Sequence, residues 1–242
     1  MRVRCAFVCL TLLLCAAPAR AQHPEALSLL GKPLVPPPLA PDVRRALDTD
    51  LAQARAAVEQ DPNSADAMLA LGRATARLGR VTEALEIFTR AIEAHPDDAP
   101  LYLERGRGYI VIRKFDVALK DFRKAAEALP AARCDEGFAL YLKAEFKAAT
   151  GALRQCDGSP WAYAAARRAG TAPPSKPGAS ADAVLTPYLA AVEALASGRT
   201  DQAKDLLEAI VEKNHDDWMT PAYIAAEADY ARVNVRRPRV RR

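Results

Sequence analysis

The feature that most constrains this chain is a spacing of 34 residues between matching residues in its middle part. Gly72 is followed 34 residues later by Gly106, and Phe88 is followed at the same distance by Phe122. The same offset relates Ala84 to Ala118, Ala91 to Ala125 and Pro96 to Pro130. Small and large residues that recur at one fixed period predict stacked copies of one structural unit. The prolines are expected to end a helix in each copy.

This pattern resembles the tetratricopeptide repeat, and the resemblance is most specific over residues 65–132. It implies an all-α fold, an α-solenoid of about four to five antiparallel helix pairs. Small residues such as Gly72 and Ala84 would let the two helices of a pair approach each other, and Phe88 would fill the gap to the next unit. The resemblance also implies a non-catalytic adaptor or scaffold that binds a protein or peptide.

Weaker copies of the pattern flank this region. Gly137, Phe146 and Leu153 follow their counterparts in the second unit by 31 residues. The segments 33–41 and 170–180 are rich in proline, and the first is expected to be extended and polyproline-like. We therefore divide the chain into a signal peptide (1–21), a proline-rich segment (22–41), a capping helix (42–64), a first repeat (65–98), a second repeat (99–132), one or more degenerate repeat-like units (133–169), a linker (170–180), a degenerate C-terminal unit with a closing amphipathic helix (181–233) and a basic tail (234–242).

The N-terminus has the pattern of a bacterial secretory signal. Arg2 and Arg4 precede an apolar run at residues 5–17, and Ala19-Arg20-Ala21 follows it. Charged, apolar and small residues in this order are typical of a signal peptide that is removed. A helix of about 13 residues spans only about 20 Å, which is too short to cross a membrane. The sequence thus predicts cleavage near Ala21 and Gln22 and a periplasmic or secreted product that does not span the membrane. An uncleaved anchor and a misassigned start remain the alternatives.

The charge is unevenly distributed along the chain. The formal net charge is +4, and removal of the three arginines in residues 1–21 lowers it to +1. Five arginines lie in the last seven residues, so the body without them carries a charge of −4. An arginine run without interleaved aromatic residues is a weak signal for nucleic acid, and no nucleic-acid partner is expected.

The sequence offers few residues suited to catalysis. It contains three histidines, and His95 lies in a His-Pro-Asp-Asp loop that could in principle hold a metal. We prefer the interpretation that Asp97 or Asp98 caps the next helix and that His95 is solvated. We therefore expect no enzyme activity, no cofactor and no metal site. The alternative is an accessory domain or subunit of an envelope enzyme or assembly complex.

The resemblance also indicates where a partner would bind. In this family, partners usually lie on the face formed by the first helix of each pair. The residues carried over to this face, and expected to be exposed, are Leu69, Arg73, Arg77, Leu103, Glu104 and Arg107. Arg107 follows Arg73 by 34 residues, so the three arginines form a row suited to carboxylates. The alternative is an ordinary solvated face whose arginines pair with Glu83 or Glu104.

One residue departs from the pattern of the repeat. Arg105 occupies the position of Leu71, which in this family is usually a large apolar residue. Either the Arg105 side chain extends out to solvent along its apolar stem, or its helix is rotated.

Cys134 and Cys156 are predicted to form a disulfide. They are the only cysteines after residue 21, and an exported compartment permits oxidation. The repeat alignment places a helix turn near Glu145, and each cysteine is 11 residues from it. Residues equidistant from the turn of an antiparallel pair lie side by side. The alternative is two buried free thiols, because Cys156 takes the place of the packing residue Ala125.

Overall fold

The computed structural model describes residues 23–156, 158–178 and 182–234, so the predicted signal peptide and residues 235–242 of the basic tail lie outside it. The described residues form two short strands, β1 Ala26–Leu27 and β2 Pro33–Leu34, and two 3-10 helices, Leu153–Gln155 and His215–Asp217. The α-helices in these ranges are α1 Pro41–Gln60, α2 Ala65–Arg77, α3 Val81–Ala94, α4 Ala99–Val111, α5 Phe115–Ala126, α6 Ala132–Leu142, α7 Phe146–Ala152, α8 Pro160–Ala169, α9 Leu185–Ala196, α10 Thr200–Lys213 and α11 Pro221–Asn234.

Each helix packs mainly on its neighbours in the chain. The pairs α2 with α3, α4 with α5, α6 with α7 and α9 with α10 are antiparallel hairpins, and each pair also contacts the helix that follows it. Ser64 and Asp98 start the first helices of two pairs, because their side chains accept hydrogen bonds from the free amides of Ala67 and Leu101. The predicted all-α solenoid of helix pairs is confirmed.

The turns inside the hairpins share one backbone geometry. Each contains a residue with positive φ, which is Gly79, Arg113, Ala144 or Gly198 in the four hairpins. Glycine adopts this conformation readily, whereas Arg113 and Ala144 carry a Cβ that disfavours it. The recurrence of the same turn shows that the second and third hairpins keep the path of the backbone even though they lack glycine at this position.

A close approach inside the first three hairpins depends on glycine. A Cβ placed on Gly72 would lie 2.3 Å from Cε1 of Phe88, and one on Gly106 would lie 2.6 Å from Cε1 of Phe122. In the third hairpin Gly137 faces Leu153 in the same way, at 2.5 Å from its Cγ. In α2–α3 and α4–α5 a phenylalanine of the second helix therefore packs directly over the glycine of the first, and in the third hairpin Leu153 of the 3-10 helix after α7 takes this role.

The residues before α1, from His23 to Ala40, form a segment that we call the strap. Residues 33–41, which were expected to be extended, begin with Pro33–Leu34, and this pair forms an antiparallel strand with Ala26–Leu27. Leu34 is fully buried in the main hydrophobic cluster, together with residues of α6, α9 and α11. The strap is therefore anchored to the repeats as part of the core.

The closing helix α11 also differs from its prediction. It begins at Pro221, and all eight residues from Ala222 to Asp229 are buried. A helix with no exposed stripe over two turns is surrounded by protein, so the expectation of an amphipathic helix is wrong. Besides α10, it contacts α6 and α9.

The glycine contacts predict a specific effect on stability. Gly72→Ala should lower the free energy of unfolding by about 1–3 kcal/mol, because the added methyl group overlaps the buried ring of Phe88. Gly151→Ala is the matched control, since a Cβ at this position of α7 meets no atom within 4 Å and alanine favours a helix. Urea unfolding of both variants would measure the difference, and equal stabilities would contradict this account of the packing.

Candidate functional site

The three arginines predicted to bind a partner lie on α2 and α4, and each is joined to a neighbouring helix by an ion pair. The three arginines and their three partners form what we call the ion-pair row, which consists of Asp50, Arg73, Arg77, Glu104, Arg107 and Asp135. Its contacts are Arg77 Nη1 to Asp50 Oδ2 at 2.7 Å, Arg73 Nη2 to Glu104 Oε1 at 2.9 Å, Arg107 Nη1 to Glu104 Oε1 at 3.1 Å and Arg107 Nε to Asp135 Oδ1 at 2.9 Å.

The ion-pair row has no net charge, and its arginines are exposed, whereas Glu104 and Asp135 are half-buried. The side chains of Arg73, Arg77 and Arg107 are 50%, 61% and 51% exposed, and the three carboxylates balance them. The arginines pair as the alternative interpretation proposed, although Arg77 uses Asp50 instead of Glu83. The hydrogen bond with Asp135 raises the pKa of Arg107. Exposed pairs of this kind contribute only about 0.2–1 kcal/mol each to stability.

Two apolar residues assigned to the same surface are not exposed. Leu69 is buried in a cluster with Ala84, Phe88 and Leu101, so it packs between the helices and its predicted exposure is wrong. Leu103 is partly buried against the main core, and it also offers little surface. The cause is the close packing of successive hairpins. The accessible part of the predicted site is therefore its charged part.

Arg105 stays inside the protein with a charged partner. Its Nε and Nη2 atoms each lie 2.8 Å from an oxygen of Asp121, a buried residue of α5. This hydrogen bond raises the pKa of Arg105. The equivalent positions 34 residues earlier hold two apolar residues, Leu71 and Ile87. The second repeat therefore has a charged pair where the first repeat has an apolar pair. The expected choice between extension to solvent and a rotated helix is therefore replaced by an internal ion pair.

A second set of polar contacts joins the strap and the segment around α11 to the repeats, and we call it the terminal lock. Its centre is Glu227 on α11, whose side chain is fully buried. Glu227 Oε2 lies 2.7 Å from Nε of Arg113, and Glu227 Oε1 accepts a hydrogen bond of 2.8 Å from the backbone amide of Leu29 in the strap. Burial lowers the pKa of Arg113, against the effect of Glu227.

Two further contacts complete the terminal lock. Trp218 Nε1 donates a hydrogen bond of 2.9 Å to the carbonyl oxygen of Val35. At the other end of the strap, the Glu25 carboxylate accepts a hydrogen bond of 2.7 Å from the backbone amide of Thr82. Thr82 lies in the first turn of α3, which has no side-chain cap from its own N-cap residue. A carboxylate from the strap thus satisfies a free amide at the positive end of this helix.

The other buried acid of α11 holds a separate polar cluster. Asp229 Oδ2 lies 2.8 Å from Arg168 of α8 and accepts a hydrogen bond of 2.9 Å from the hydroxyl of Tyr188. Asp229 Oδ1 lies 2.7 Å from Arg232 of its own helix. Burial raises the pKa of Tyr188 and Tyr141 well above its usual value, and the charge of Asp229 adds to this effect. Both hydroxyls therefore stay protonated, and the cluster has the character of a structural support.

Comparison with known proteins identifies the repeat. The family model described as tetratricopeptide repeat matches residues 39–99. Residues 39–99 therefore contain a tetratricopeptide repeat. No curated protein matches it.

The tetratricopeptide repeat continues beyond the matched range. The match covers α1, α2 and α3, whereas α4 and α5 repeat the geometry of α2 and α3 with Gly106 under Phe122. Tetratricopeptide repeats are typically non-catalytic modules through which proteins bind one another. They therefore indicate a role in protein–protein interaction for this chain.

The loop that contains His95 forms hydrogen bonds within the protein. Asp98 caps α4, as the preferred interpretation predicted. His95 was expected to be solvated, and its Nε2 lies 2.7 Å from the carbonyl oxygen of Asn63. Within residues 23–156, 158–178 and 182–234, no group of three or more histidine, cysteine or acidic residues could hold a metal ion. Over the same residues, no helix has the length and apolar character needed to span a membrane.

The two cysteines predicted to pair lie together in the third hairpin. The Sγ atoms of Cys134 and Cys156 are 2.08 Å apart, and their Cα atoms are 5.9 Å apart. That Cα separation is usual for a disulfide. Cys134 lies at the start of α6 and Cys156 follows the 3-10 helix after α7, so a bond between them would close the open end of this short hairpin.

Proposed function

We propose that this chain is an exported adaptor that binds a protein partner through the ion-pair row. The observation that carries the proposal is the placement of the row. Its charged residues lie on α1, α2, α4 and α6, which belong to consecutive units, and the exposed arginines on α2 and α4 link them into one surface.

The weakness of the exposed pairs suits such a surface. Each arginine already holds a carboxylate in water, at a gain of at most about 1 kcal/mol. A partner that presents carboxylates and cations in the complementary order can exchange these contacts for its own at little cost. Electrostatic complementarity of this kind contributes mainly to specificity and to the rate of association. The balanced charge of the row also favours partners with mixed charge over purely acidic ones.

Export is the second part of the proposal. The charged, apolar and small-residue order of residues 1–21 supports it. The proximity of Cys134 and Cys156 supports it as well, because a structural disulfide persists in oxidising compartments. We propose that the two cysteines are oxidised in the mature protein and that they stabilise the shortest of the four hairpins.

Reversal of the arginines tests the binding surface. The triple variant Arg73→Glu, Arg77→Glu and Arg107→Glu should weaken binding of a partner captured from the native envelope by roughly three- to a hundredfold, if each contact contributes about 0.2–1 kcal/mol. The helical circular-dichroism signal should stay unchanged. The matched control is Arg45→Glu, Arg55→Glu and Arg133→Glu, which reverses three exposed arginines without an ion pair in the described residues. Equal affinities of the two triple variants would contradict the proposed surface.

Analysis of the mature protein tests export and oxidation together. Intact-mass measurement of protein from the native host should give an N-terminus at or near Gln22, and thiol titration of the denatured, unreduced chain should find no free thiol. Closure of a loop of this size is expected to stabilise the fold by about 3 kcal/mol in the chain-entropy model. A full-length chain as the sole form would refute export. Two free thiols per chain would refute the disulfide.

A further inference from the structure

A second surface lies away from the ion-pair row. A groove of 530 Å³ runs between α3 and the turn that joins α4 to α5, and we call it the α3 groove. Leu85 and Ile112 are its buried apolar floor, and Tyr109 lies beside them. Its volume is within the range of about 300–1,000 Å³ that is usual for ligand pockets.

The α3 groove differs from the ion-pair row in the state of its polar groups. Arg90 and Lys114 line the groove, and the side chain of neither forms an ion pair or hydrogen bond with any described residue. The hydroxyl of Tyr109 likewise has no hydrogen bond within the described part of the chain. Glu86 lines the groove one turn before Arg90, but no ion pair joins the two. Three donors without an internal acceptor thus surround an apolar floor.

The strap shows what kind of segment the end of this groove accepts. Thr82, which also lines the groove, donates its amide to the Glu25 carboxylate at 2.7 Å and its hydroxyl to the Glu25 carbonyl oxygen at 3.3 Å. The next residue, Ala26, packs against the cluster that contains Leu85 and Ile112. An extended segment that presents one carboxylate beside an apolar residue therefore already occupies one end of this surface, and its remaining length is open.

We propose that the α3 groove binds an extended acidic segment of a partner protein. A carboxylate of the segment contacts Arg90 and Lys114, and a neighbouring apolar side chain packs on Leu85 and Ile112. A carboxylate matches the free donors, since guanidinium and ammonium groups form their strongest hydrogen bonds with it. This inference rests on the proposed role in protein binding, but it concerns a surface separate from the ion-pair row.

The test uses the chain from Gln22 to its last residue and fluorescein-labelled 12-residue peptides. Each peptide contains three leucines and zero, two or four glutamates, and fluorescence anisotropy measures its affinity. We expect affinity to rise with the number of glutamates. Arg90→Glu with Lys114→Glu should weaken binding of the four-glutamate peptide at least tenfold. Arg45→Glu with Arg55→Glu, which changes the net charge equally on α1, should leave the affinity unchanged.

Several outcomes would overturn the inference. They are an affinity independent of glutamate content, an equal loss in the two double variants, and equal binding of a peptide that keeps four glutamates but lacks leucine. If Arg90→Glu with Lys114→Glu loses helical signal, Arg90→Gln with Lys114→Gln replaces it, with the same expected direction. Loss of peptide binding in the triple variant of the ion-pair row, with binding intact in the groove variant, would refute the groove and leave the proposed function standing.

Discussion

The buried carboxylate of Glu227 links the strap and α11 to the repeats. A charge removed from water costs several kcal/mol unless a counter-charge and hydrogen bonds replace the solvent. Arg113 supplies the counter-charge, and the amide of Leu29 supplies a hydrogen bond to the second oxygen. The second repeat, the strap and α11 therefore have to come together for both contacts to form. The same requirement explains why a turn position that favours glycine carries Arg113, whose side chain extends to α11.

The repeat region could be predicted from the sequence because its constraints are local. Gly72 and Phe88 stand at a fixed offset, and each such pair specifies the approach of two helices that follow each other in the chain. The ends of the solenoid could not be predicted in this way. Helix α11 is rich in alanine, and the burial of all its faces depends on helices and a strap that are distant in sequence. Nothing in the residues around Glu227 or Leu34 indicates which distant segment they contact.

The sequence could predict where the charged residues of the candidate site lie, but it could not predict whether the apolar residues are exposed. The spacing of Arg73 and Arg107 placed them on one surface, since equivalent positions of successive repeats align. Leu69 was assigned to the same surface, but packing between hairpins buries it. Position in a repeat fixes the direction of a side chain, whereas the distance to the next unit decides whether the side chain meets solvent. The replacement of Leu71 and Ile87 by Arg105 and Asp121 shows that such positions can change character as a pair.

The measurement that tests this account most directly is hydrogen exchange in the variant Glu227→Ala. The account predicts faster exchange of the Leu29 amide, which loses its acceptor, and of the Thr82 amide, which depends on a strap held in place by Glu227. The amide of Phe122 in α5 should keep its protection, and Asp48→Ala, which removes an exposed ion pair on α1, should leave all three unchanged. Unchanged protection of Leu29 and Thr82 in Glu227→Ala would show that the strap attaches independently of the closing helix, and it would contradict the account.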